Sequence, residues 1–374
     1  MNTYLLAVCL FAFVVWFIVL VLPWRPWLNG ETLEPASSGV AEFDELTVVI
    51  PARNEADVIV ETLNGLALQG SRLNVILVDD GSSDGTAACA RQVKELDLAI
   101  IDSQALPKGW SGKLWALEQG TQAVSTPWTL LLDADITLAP GMVAALLGKA
   151  KQDDRQMVSI MASLRMDSFW ERLLIPAFIY FFKLIYPFRW VNSKYPLIAA
   201  AAGGCILLET RLIAEMGGFA AIRGAIIDDC TLAKQVKSRG HRIWLGQSHA
   251  VMSSRRYEGL QPIWDMVARC AFTQLHYSAG LLGLLSLLLI SLYLGPVIGV
   301  AWGDGPVQAW ALAASLIMMV TYWPTLRYYG LNGAWVLTLP LIGVLYLGMA
   351  WSSAWRYWRG VRSQWKNRVY AVEE

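Results

Sequence analysis

Residues 75–86 read VILVDDGSSDGT, an apolar stretch that ends in two adjacent acids and a glycine-rich turn. The pattern predicts a buried strand, then a turn, then a helix. In an open parallel sheet, ligands bind beyond the carboxyl ends of the strands, so Asp79 and Asp80 are expected to face a crevice. Carboxylates in that position can accept hydrogen bonds from a nucleobase or from ribose hydroxyls.

The chain on both sides of this stretch alternates between apolar strands and helices, from residue 45 to about residue 249. The predicted strands are 46–50, 75–78, 99–101, 129–132 and 157–161. The predicted helices are 56–68, 86–94, 113–123 and 140–150. Strands separated by helices of this length are joined by right-handed crossovers, which predicts an α/β domain with a mostly parallel sheet.

A second acidic stretch, LLLDADI at 130–136, also follows an apolar strand. If the strand continued, alternation would point Asp133 and Asp135 to one side, about 7 Å apart. Two carboxylates suit Mg²⁺ or Mn²⁺, which complete their coordination with phosphate oxygens of a substrate. The spacing therefore indicates a candidate metal site.

A third acidic stretch, AIIDDCTLAKQV at 225–236, opens a helix with Leu232 and Val236 on its apolar stripe. Helix N-termini favour negative charge, but two adjacent acids are more than a cap requires. Asp228 or Asp229 can take a proton from an acceptor hydroxyl as a general base.

Each acidic stretch also has a purely structural explanation. Ser83 or Asp84 can cap the helix that follows the first stretch, and the second can be an acidic turn into the helix at Pro140. Asp228 can simply cap its own helix. The three stretches together, at the ends of elements of one sheet, are more specific than any one of them.

Composition indicates membrane segments beside the α/β region. Charged residues make up 16% of the 374 residues and hydrophobic residues 55%, whereas globular domains average about 25% charged. Residues 4–22 are an uncharged apolar run without a basic start or a cleavage site, so residues 1–29 are predicted to be a retained anchor rather than a signal peptide. A net charge of zero argues against a nucleic-acid partner. The five scattered cysteines indicate a reduced, cytosolic working face.

Residues 277–352 contain further apolar runs of spanning length, at 281–300, 307–323 and 331–351. Residues 30–44 are predicted to be a linker. The segment 169–190 is apolar but carries four charges, which favours a pair of membrane-surface helices broken at Pro176 and Pro187 over a span.

The tail, 353–374, alternates basic and aromatic residues and is predicted to form an interfacial helix over 355–370 on anionic headgroups. A disordered basic tail is the alternative. One anchor plus three C-terminal spans would put this tail opposite the α/β domain, which conflicts with the positive-inside rule. Either one run does not cross the membrane, or the rule is broken.

The acidic motifs occur in a familiar order: TVVIPARNE (47–55), VDDGS (78–82), DAD (133–135) and DD (228–229). This set resembles the family 2 glycosyltransferases of the GT-A fold over about residues 45–276. Within that family, LPKGWSGKLWA (106–116) and AGGCILL (202–208), with the flanking membrane runs, look most similar to the hopene-associated glycosyltransferases.

The resemblance implies roles for particular residues. The donor side would be formed by Pro51, Arg53, Glu55, Asp79, Asp80, Lys113 and Asp133, with Asp80 at the base and Asp133 at the ribose. Asp135, with Asp133 beside it, would hold Mg²⁺ or Mn²⁺. Asp229 would be the catalytic base with Asp228 beside it, and Gly203 and Gly204 would admit the acceptor.

One family motif is missing. Processive members carry Gln-x-x-Arg-Trp after the base, and this chain does not, which argues against polymer synthesis. Arg269 could stabilise the leaving diphosphate, unless it is only a membrane-interface residue, and Gln274 could reach the acceptor channel.

The expected function is therefore inverting sugar transfer from a nucleotide sugar, expected to be a UDP-sugar, to a lipid in hopanoid biosynthesis. The expected location is the bacterial inner membrane, multi-pass, with the catalytic domain facing the cytosol. A polyprenyl-phosphate acceptor, a nucleotidyltransferase and a non-catalytic membrane scaffold are the alternatives.

Overall fold

The centre of the molecule is an eight-stranded sheet. The structure is a computed structural model that describes residues 2–36, 42–365 and 368–371. The strands are β1 (Leu46–Ala52), β2 (Asn74–Asp79), β3 (Asp97–Asp102), β4 (Trp128–Leu132), β5 (Ile136–Leu138), β6 (Met157–Ser163), β7 (Cys205–Glu209) and β8 (Ile243–Ser253). Their order across the sheet is β3-β2-β1-β4-β7-β6-β8-β5.

Helices cover both faces of this sheet and continue into the apolar C-terminal part. The helices up to the end of the sheet are α1 (Asn2–Val21), α2 (Ile59–Ala67), α3 (Thr86–Ala90), α4 (Gly112–Gln122), α5 (Met142–Gln152), α6 (Phe169–Ile185), α7 (Phe188–Val191), α8 (Arg211–Met216) and α9 (Asp228–Ser238). Those that follow are α10 (Leu260–Gln274), α11 (Ala279–Leu289), α12 (Gly295–Trp302), α13 (Gly305–Tyr328) and α14 (Leu339–Trp358).

The α/β class is confirmed, but the sheet is mixed rather than mostly parallel. Strands β3, β2, β1 and β4 are parallel neighbours, whereas β7 is antiparallel to both β4 and β6. Strand β7 was not predicted, because its five residues follow a long irregular segment rather than a helix of crossover length. Its reversal pairs Leu132 with Cys205, which brings the start of β7 beside the acidic end of β4.

The central strands are apolar along their whole length because both faces of the sheet are covered. Every residue of β1 and of β4 is buried. One apolar core lies between the sheet, α2 and α5, and a second lies between the sheet, α4 and α9. A strand buried on both faces has no reason to alternate apolar and polar residues, so an uninterrupted apolar run is its signature.

Within the described ranges, four helices are long and apolar enough to cross a membrane: Thr3–Val21, Ala279–Trp302, Gly305–Tyr328 and Gly333–Trp358. They coincide with the predicted anchor and the three predicted C-terminal runs. Helices α1, α12 and α13 pack closely around Gly299, where an added Cβ would lie 2.5 Å from the Cys9 sulfur and 2.7 Å from the Ala311 Cβ. Small residues permit this approach between apolar helices.

Two predictions about helices are wrong. Helix α6 runs unbroken through Pro176, because neighbours such as Leu173, Leu174 and Ile179 are fully buried and their packing offsets the lost backbone hydrogen bond. The interfacial helix predicted over 355–370 ends at Trp358, since Gly360 has φ +83 and terminates it. Two antiparallel strands follow, β9 (Val361–Trp365) and β10 (Arg368–Ala371).

The predicted linker 30–44 is tied to the sheet where the structure describes it. Thr32 forms a parallel bridge with Gln247 on β8, and the Leu33 N–H donates to the Gln247 carbonyl at 3.0 Å. The Glu34 carboxylate accepts the His249 N–H at 2.8 Å. Residues 37–41 of the linker lie outside the described part of the chain.

Candidate active site

The Asp133–Asp135 motif is a turn, not an extension of β4. Strand β4 stops at Leu132, and the Ile136 N–H donates to the Asp133 carbonyl at 3.0 Å. The alternation expected from the sequence therefore does not apply to the two acids. Both side chains nevertheless line the same cavity.

Each acid of this motif has its own cationic partner. Lys113 Nζ lies 2.7 Å from Asp133 Oδ1 and 3.7 Å from Asp228 Oδ2, so it joins the second acidic stretch to the third. Burial alone would lower the pKa of Lys113, but the charges of Asp133 and Asp228 raise it above its usual value. Lys113 therefore stays charged when no ligand is bound.

Arg255 is the partner of Asp135. Its Nε lies 3.2 Å from Asp135 Oδ2, which also accepts the Ser253 hydroxyl at 2.8 Å. Its Nη2 lies 3.2 Å from the Glu55 carboxylate. Burial opposes ionisation of Asp135, but the Arg255 guanidinium outweighs it and lowers the pKa of that carboxyl. Asp135 is therefore ionised and available to a cation.

Asp229 is half-buried in the first turn of α9, with each carboxylate oxygen bonded to the backbone. Oδ2 accepts the Gly203 N–H at 2.8 Å and Oδ1 accepts the Cys230 N–H at 2.7 Å. Burial and the neighbouring charge of Asp228 raise the pKa of Asp229 to about 6. A carboxylate with this pKa is suited to accept a proton near neutral pH.

The explanation that Asp228 only caps its helix is not supported. The residue at the N-cap position of α9 is Ile227, and it makes no side-chain capping hydrogen bond. Asp228 instead faces Lys113.

Two glycines at the start of β7 connect the acidic stretches through their backbones. The Asp133 N–H donates to the Gly204 carbonyl at 3.0 Å, and Gly203 donates to Asp229. A Cβ on Gly203 would lie 3.2 Å from Asp229 Oδ2, and one on Gly204 would lie 3.1 Å from the Ile136 side chain. These positions therefore hold the acids at a fixed separation that a larger residue would disturb.

The acids of the first stretch form hydrogen bonds within their own turn. Asp79 Oδ1 accepts the Ser82 N–H at 3.0 Å, and Asp84 accepts the Thr86 N–H at 3.0 Å, so both acids stabilise the turn. Arg53 donates to the Asp80 carbonyl and lies 3.8 Å from its carboxylate. In the described part of the chain, Arg53, Asp79 and Asp80 do not line the cavity that contains Asp135 and Asp229. Their donor-binding roles stay predictions.

One cavity of about 1900 Å³ contains the rest of the site. Its polar end is lined by Lys113, Asp133, Asp135, Asp228, Asp229 and Arg255. The wall also includes the predicted residues Pro51, Glu55, Gly203, Gly204, Arg269 and Gln274. Its apolar end is lined by Trp16, Val19, Phe181, Leu289, Leu292 and Tyr293. Helices of spanning length thus form one wall of the cavity that contains the acids.

Residues 47–217 match the sequence family described as Glycosyl transferase family 2. These residues form a glycosyl transferase family 2 domain. The β7 glycines and the Asp133–Asp135 turn lie within the matched range, whereas Asp229 and Arg255 follow it. The subgroup suggested by the sequence is not tested by this match.

Two relatives match shorter stretches of the chain. A stretch of 98 residues is 38% identical to poly-beta-1,6-N-acetyl-D-glucosamine synthase of Staphylococcus aureus, covering 26% of this chain and 23% of that protein. A stretch of 117 residues is 33% identical to 4,4'-diaponeurosporenoate glycosyltransferase of Staphylococcus aureus, covering 31% of each. The chain therefore spans less than a third of either relative. The family match and these relatives support assignment as a glycosyltransferase.

A solved structure shares the fold of nearly the whole chain. The mannosyltransferase PcManGT from Pyrobaculum calidifontis, in complex with GDP-Man and Mn²⁺, superposes with a TM-score of 0.59 and 18% identity. The superposition covers 94% of this chain and 99% of that one. The shared fold thus extends from the family 2 domain into the apolar helices.

Three residues of this site were not predicted from the sequence. Ser253 and Arg255 hold Asp135, and the Tyr186 hydroxyl donates to Gln274 at 2.8 Å. The sequence contains a pattern that could have identified Arg255, since two consecutive arginines at 255–256 follow an apolar strand. The predicted α/β region ends near residue 249, four residues before β8 ends. No sequence pattern distinguishes Tyr186 from the other aromatic residues of its apolar segment.

The acids of the family 2 domain fit a divalent cation only together with a phosphate ligand. Among the described residues, no group of three or more His, Cys, Asp and Glu side chains is arranged to hold a metal ion. Asp133 and Asp135 offer carboxylate oxygens on one wall of the cavity. Mg²⁺ in particular is commonly bound by one or two carboxylates plus substrate phosphates and water, so this donor set fits it.

Proposed function

We propose that the chain is a membrane-bound inverting glycosyltransferase that moves a sugar from a nucleotide sugar to a lipid. The observation that carries the proposal is the single cavity with ionised groups at one end and membrane-type helices at the other. A nucleotide diphosphate suits the first end and an apolar acceptor suits the second. The catalytic unit is assigned to residues 45–276.

Asp229 is the proposed base. Its carboxylate takes the proton of the acceptor hydroxyl while that oxygen attacks the anomeric carbon. The bond from this carbon to the diphosphate oxygen breaks on the opposite face, so the configuration inverts and a nucleoside diphosphate leaves. Gly203 fixes the orientation of the carboxylate through its N–H.

The cations of the cavity are proposed to stabilise the leaving diphosphate. Lys113 and Arg255 line the donor end, and Arg269 on α10 lines the same cavity. Fixed positive groups aimed at developing negative charge lower the barrier because they need no reorganisation. Asp135, with Asp133, would hold Mg²⁺ or Mn²⁺, which when bound supplies further positive charge to the diphosphate.

The proposed donor is a UDP-sugar and the proposed acceptor a hopanoid or a hopanoid precursor, following the resemblance to hopene-associated members. A polyprenyl phosphate is the second candidate, because the apolar walls of α1, α6 and α11 suit any long apolar chain. The proposed location is the bacterial inner membrane with the catalytic unit in the cytosol.

The test uses the full chain purified in detergent, with nucleotide sugars, Mn²⁺ and lipid extracts containing either hopanoids or polyprenyl phosphate. Release of nucleoside diphosphate that depends on one extract identifies the acceptor class. Asp229→Asn is expected to abolish release while donor binding persists, and Asp97→Asn, an exposed acid on β3, is the matched control.

Three outcomes would contradict the proposal. Unchanged turnover by the Asp229 variant would refute the base. Release of pyrophosphate instead of nucleoside diphosphate would indicate a nucleotidyltransferase. Lack of metal-dependent donor binding by calorimetry would indicate a membrane scaffold without catalytic activity.

A further inference from the structure

Helix α14 has the length and composition of a membrane span, yet its start contacts the α/β domain. Trp335, in the 3-10 turn just before α14, packs on Phe169 with 5.7 Å between ring centroids. Phe169 opens α6, and the Glu171 carboxylate in the same turn accepts the Tyr257 N–H at 2.8 Å. Tyr257 lies four residues beyond β8, so the start of α14 is next to the connection that leaves the sheet.

The other end of α14 contacts the same part of the domain. Arg356 forms an ion pair with Asp265 on α10, and the Ser353 hydroxyl accepts the Phe272 N–H at 3.0 Å. Helix α10 begins three residues after Tyr257. A helix that crosses a bilayer has its ends about 30 Å apart on opposite sides. A domain on one side of the membrane cannot contact both ends of such a helix.

The other apolar helices form a bundle that returns the chain to the domain. Trp16 on α1 donates from its indole nitrogen to the Leu292 carbonyl at 3.1 Å, and Gly299 packs against α1 and α13. At the end of α13, the Tyr328 carbonyl is 3.0 Å from a ring nitrogen of His249 on β8. Helices α11 and α12 belong to one continuous helix, Ala279–Trp302, called the α11–α12 helix below. Crossings by α1, the α11–α12 helix and α13 therefore connect the domain side to the opposite side and back.

The distribution of lysine and arginine along the chain agrees with three membrane crossings rather than four. Residues 1–24 and 302–326 contain no lysine or arginine, and Asp304 lies in the turn between α12 and α13. Arg25 follows the end of α1, and Arg327 lies in the last turn of α13; these are the two helix ends that reach the domain. With α14 not crossing, the basic tail joins these two residues on the domain side, as the positive-inside rule expects.

The exposed face of α14 has the composition of a membrane-interface helix. Trp351, Trp355 and Trp358 lie on one stripe and are 47%, 61% and 48% exposed. Tryptophan rings favour the headgroup level of a bilayer. The sequence contains basic residues here and further on: Arg356 and Arg359, followed by Arg362, Lys366 and Arg368. Anionic headgroups attract such charges near the surface.

We propose that only α1, the α11–α12 helix and α13 cross the membrane, and that α14 is an interfacial helix. Its tryptophan stripe and the basic tail bind the anionic headgroups of the leaflet on the domain side. The described part of the chain then has three spans, an odd number, and its tail and catalytic unit share one compartment. This conclusion does not depend on the reaction proposed above.

The test is labelling of single introduced cysteines in the full chain by a maleimide that cannot cross membranes. The variants are Asp304→Cys in the α12–α13 turn, Arg359→Cys just after α14, and Arg239→Cys, an exposed residue after α9 that marks the domain side. Each is labelled in intact and in permeabilised spheroplasts, and the unsubstituted chain gives the background from its five native cysteines.

Arg359→Cys and Arg239→Cys are expected to have the same accessibility to the maleimide in intact spheroplasts. Asp304→Cys is expected to have the opposite accessibility. Reaction of Arg359→Cys together with Asp304→Cys would overturn the proposal, because α14 would then cross. Reaction of all three together would overturn the three-span bundle. Alkaline phosphatase fused after Glu374 is an independent measurement: it should be inactive when the Arg239→Cys side is cytosolic, and an active fusion would contradict a shared compartment.

Discussion

Asp229 is the side chain whose protonation controls the proposed transfer. Its carboxylate is held by two backbone N–H groups, and burial raises its pKa to about 6. The folded protein thus binds this proton more tightly than the unfolded chain does. The contribution of Asp229 to stability is therefore present at low pH and falls as the pH rises through 6.

The activity should have the opposite pH dependence. Because a general base must be deprotonated, kcat/KM is expected to rise about tenfold per pH unit below 6 and to level off above it. Initial rates of nucleoside diphosphate release between about pH 4.5 and 8 measure this. A flat profile through pH 6 would show that Asp229 is not the group that takes the proton.

The absence of a side chain at Gly203 leaves room for the Asp229 carboxylate. An alanine Cβ there would lie 3.2 Å from Asp229 Oδ2 and 3.4 Å from Lys113 Nζ. Small displacements of catalytic groups can cost about 100-fold in rate. Gly203→Ala is expected to lower kcat by about 10- to 100-fold with little change in melting temperature.

The control for this variant is Gly148→Ala on α5, where the nearest outside atom to the new Cβ is a flexible side chain at 3.9 Å. Since alanine is the better helix former by about 1 kcal/mol, the control should retain full activity. Equal activity of the two variants would mean that the Gly203 backbone does not position the base.

At the scale of elements, the contact of α1 with α12 and α13 depends on small residues, of which Gly299 touches both neighbours. A Cβ on Gly299 would lie 2.5 Å from the Cys9 sulfur, whereas one on Gly283 in α11 meets nothing within 4 Å. Overpacking of a tight contact costs about 1–3 kcal/mol. Gly299→Ala is therefore expected to lower the unfolding temperature in detergent, and Gly283→Ala is not. Equal melting curves would show that the bundle is loosely packed.

At the scale of the whole molecule, the cavity joins elements that are distant in the sequence. Leu289 of α11 lines the cavity, while Leu287 on the same helix is 67% exposed. Leu289→Trp is expected to raise KM for the lipid acceptor several-fold by filling the apolar end, with donor binding unchanged. Leu287→Trp should leave both values unchanged. An equal KM for the two variants would place the acceptor elsewhere.

The sequence by itself determined five of the eight strands of the sheet, the helices between them and the apolar runs, because those depend on local periodicity and composition, whereas β5, β7 and β8 were not predicted. It also identified Asp133, Asp135 and Asp229, since acids at the ends of apolar elements stand out without knowledge of the fold. Two predictions from the sequence were wrong. Buried neighbours keep the helix continuous through Pro176, and a left-handed glycine, Gly360, ends the last helix earlier than predicted.

Only the tertiary structure decided which of these acids share a cavity. Strand β7 reverses direction, and its two glycines bind Asp133 and Asp229 through backbone hydrogen bonds between residues far apart in the chain. Arg255 reaches Asp135 across 120 positions. Such contacts depend on strand order and direction, which local patterns do not encode, and so the geometry of the site could be obtained only from the folded chain.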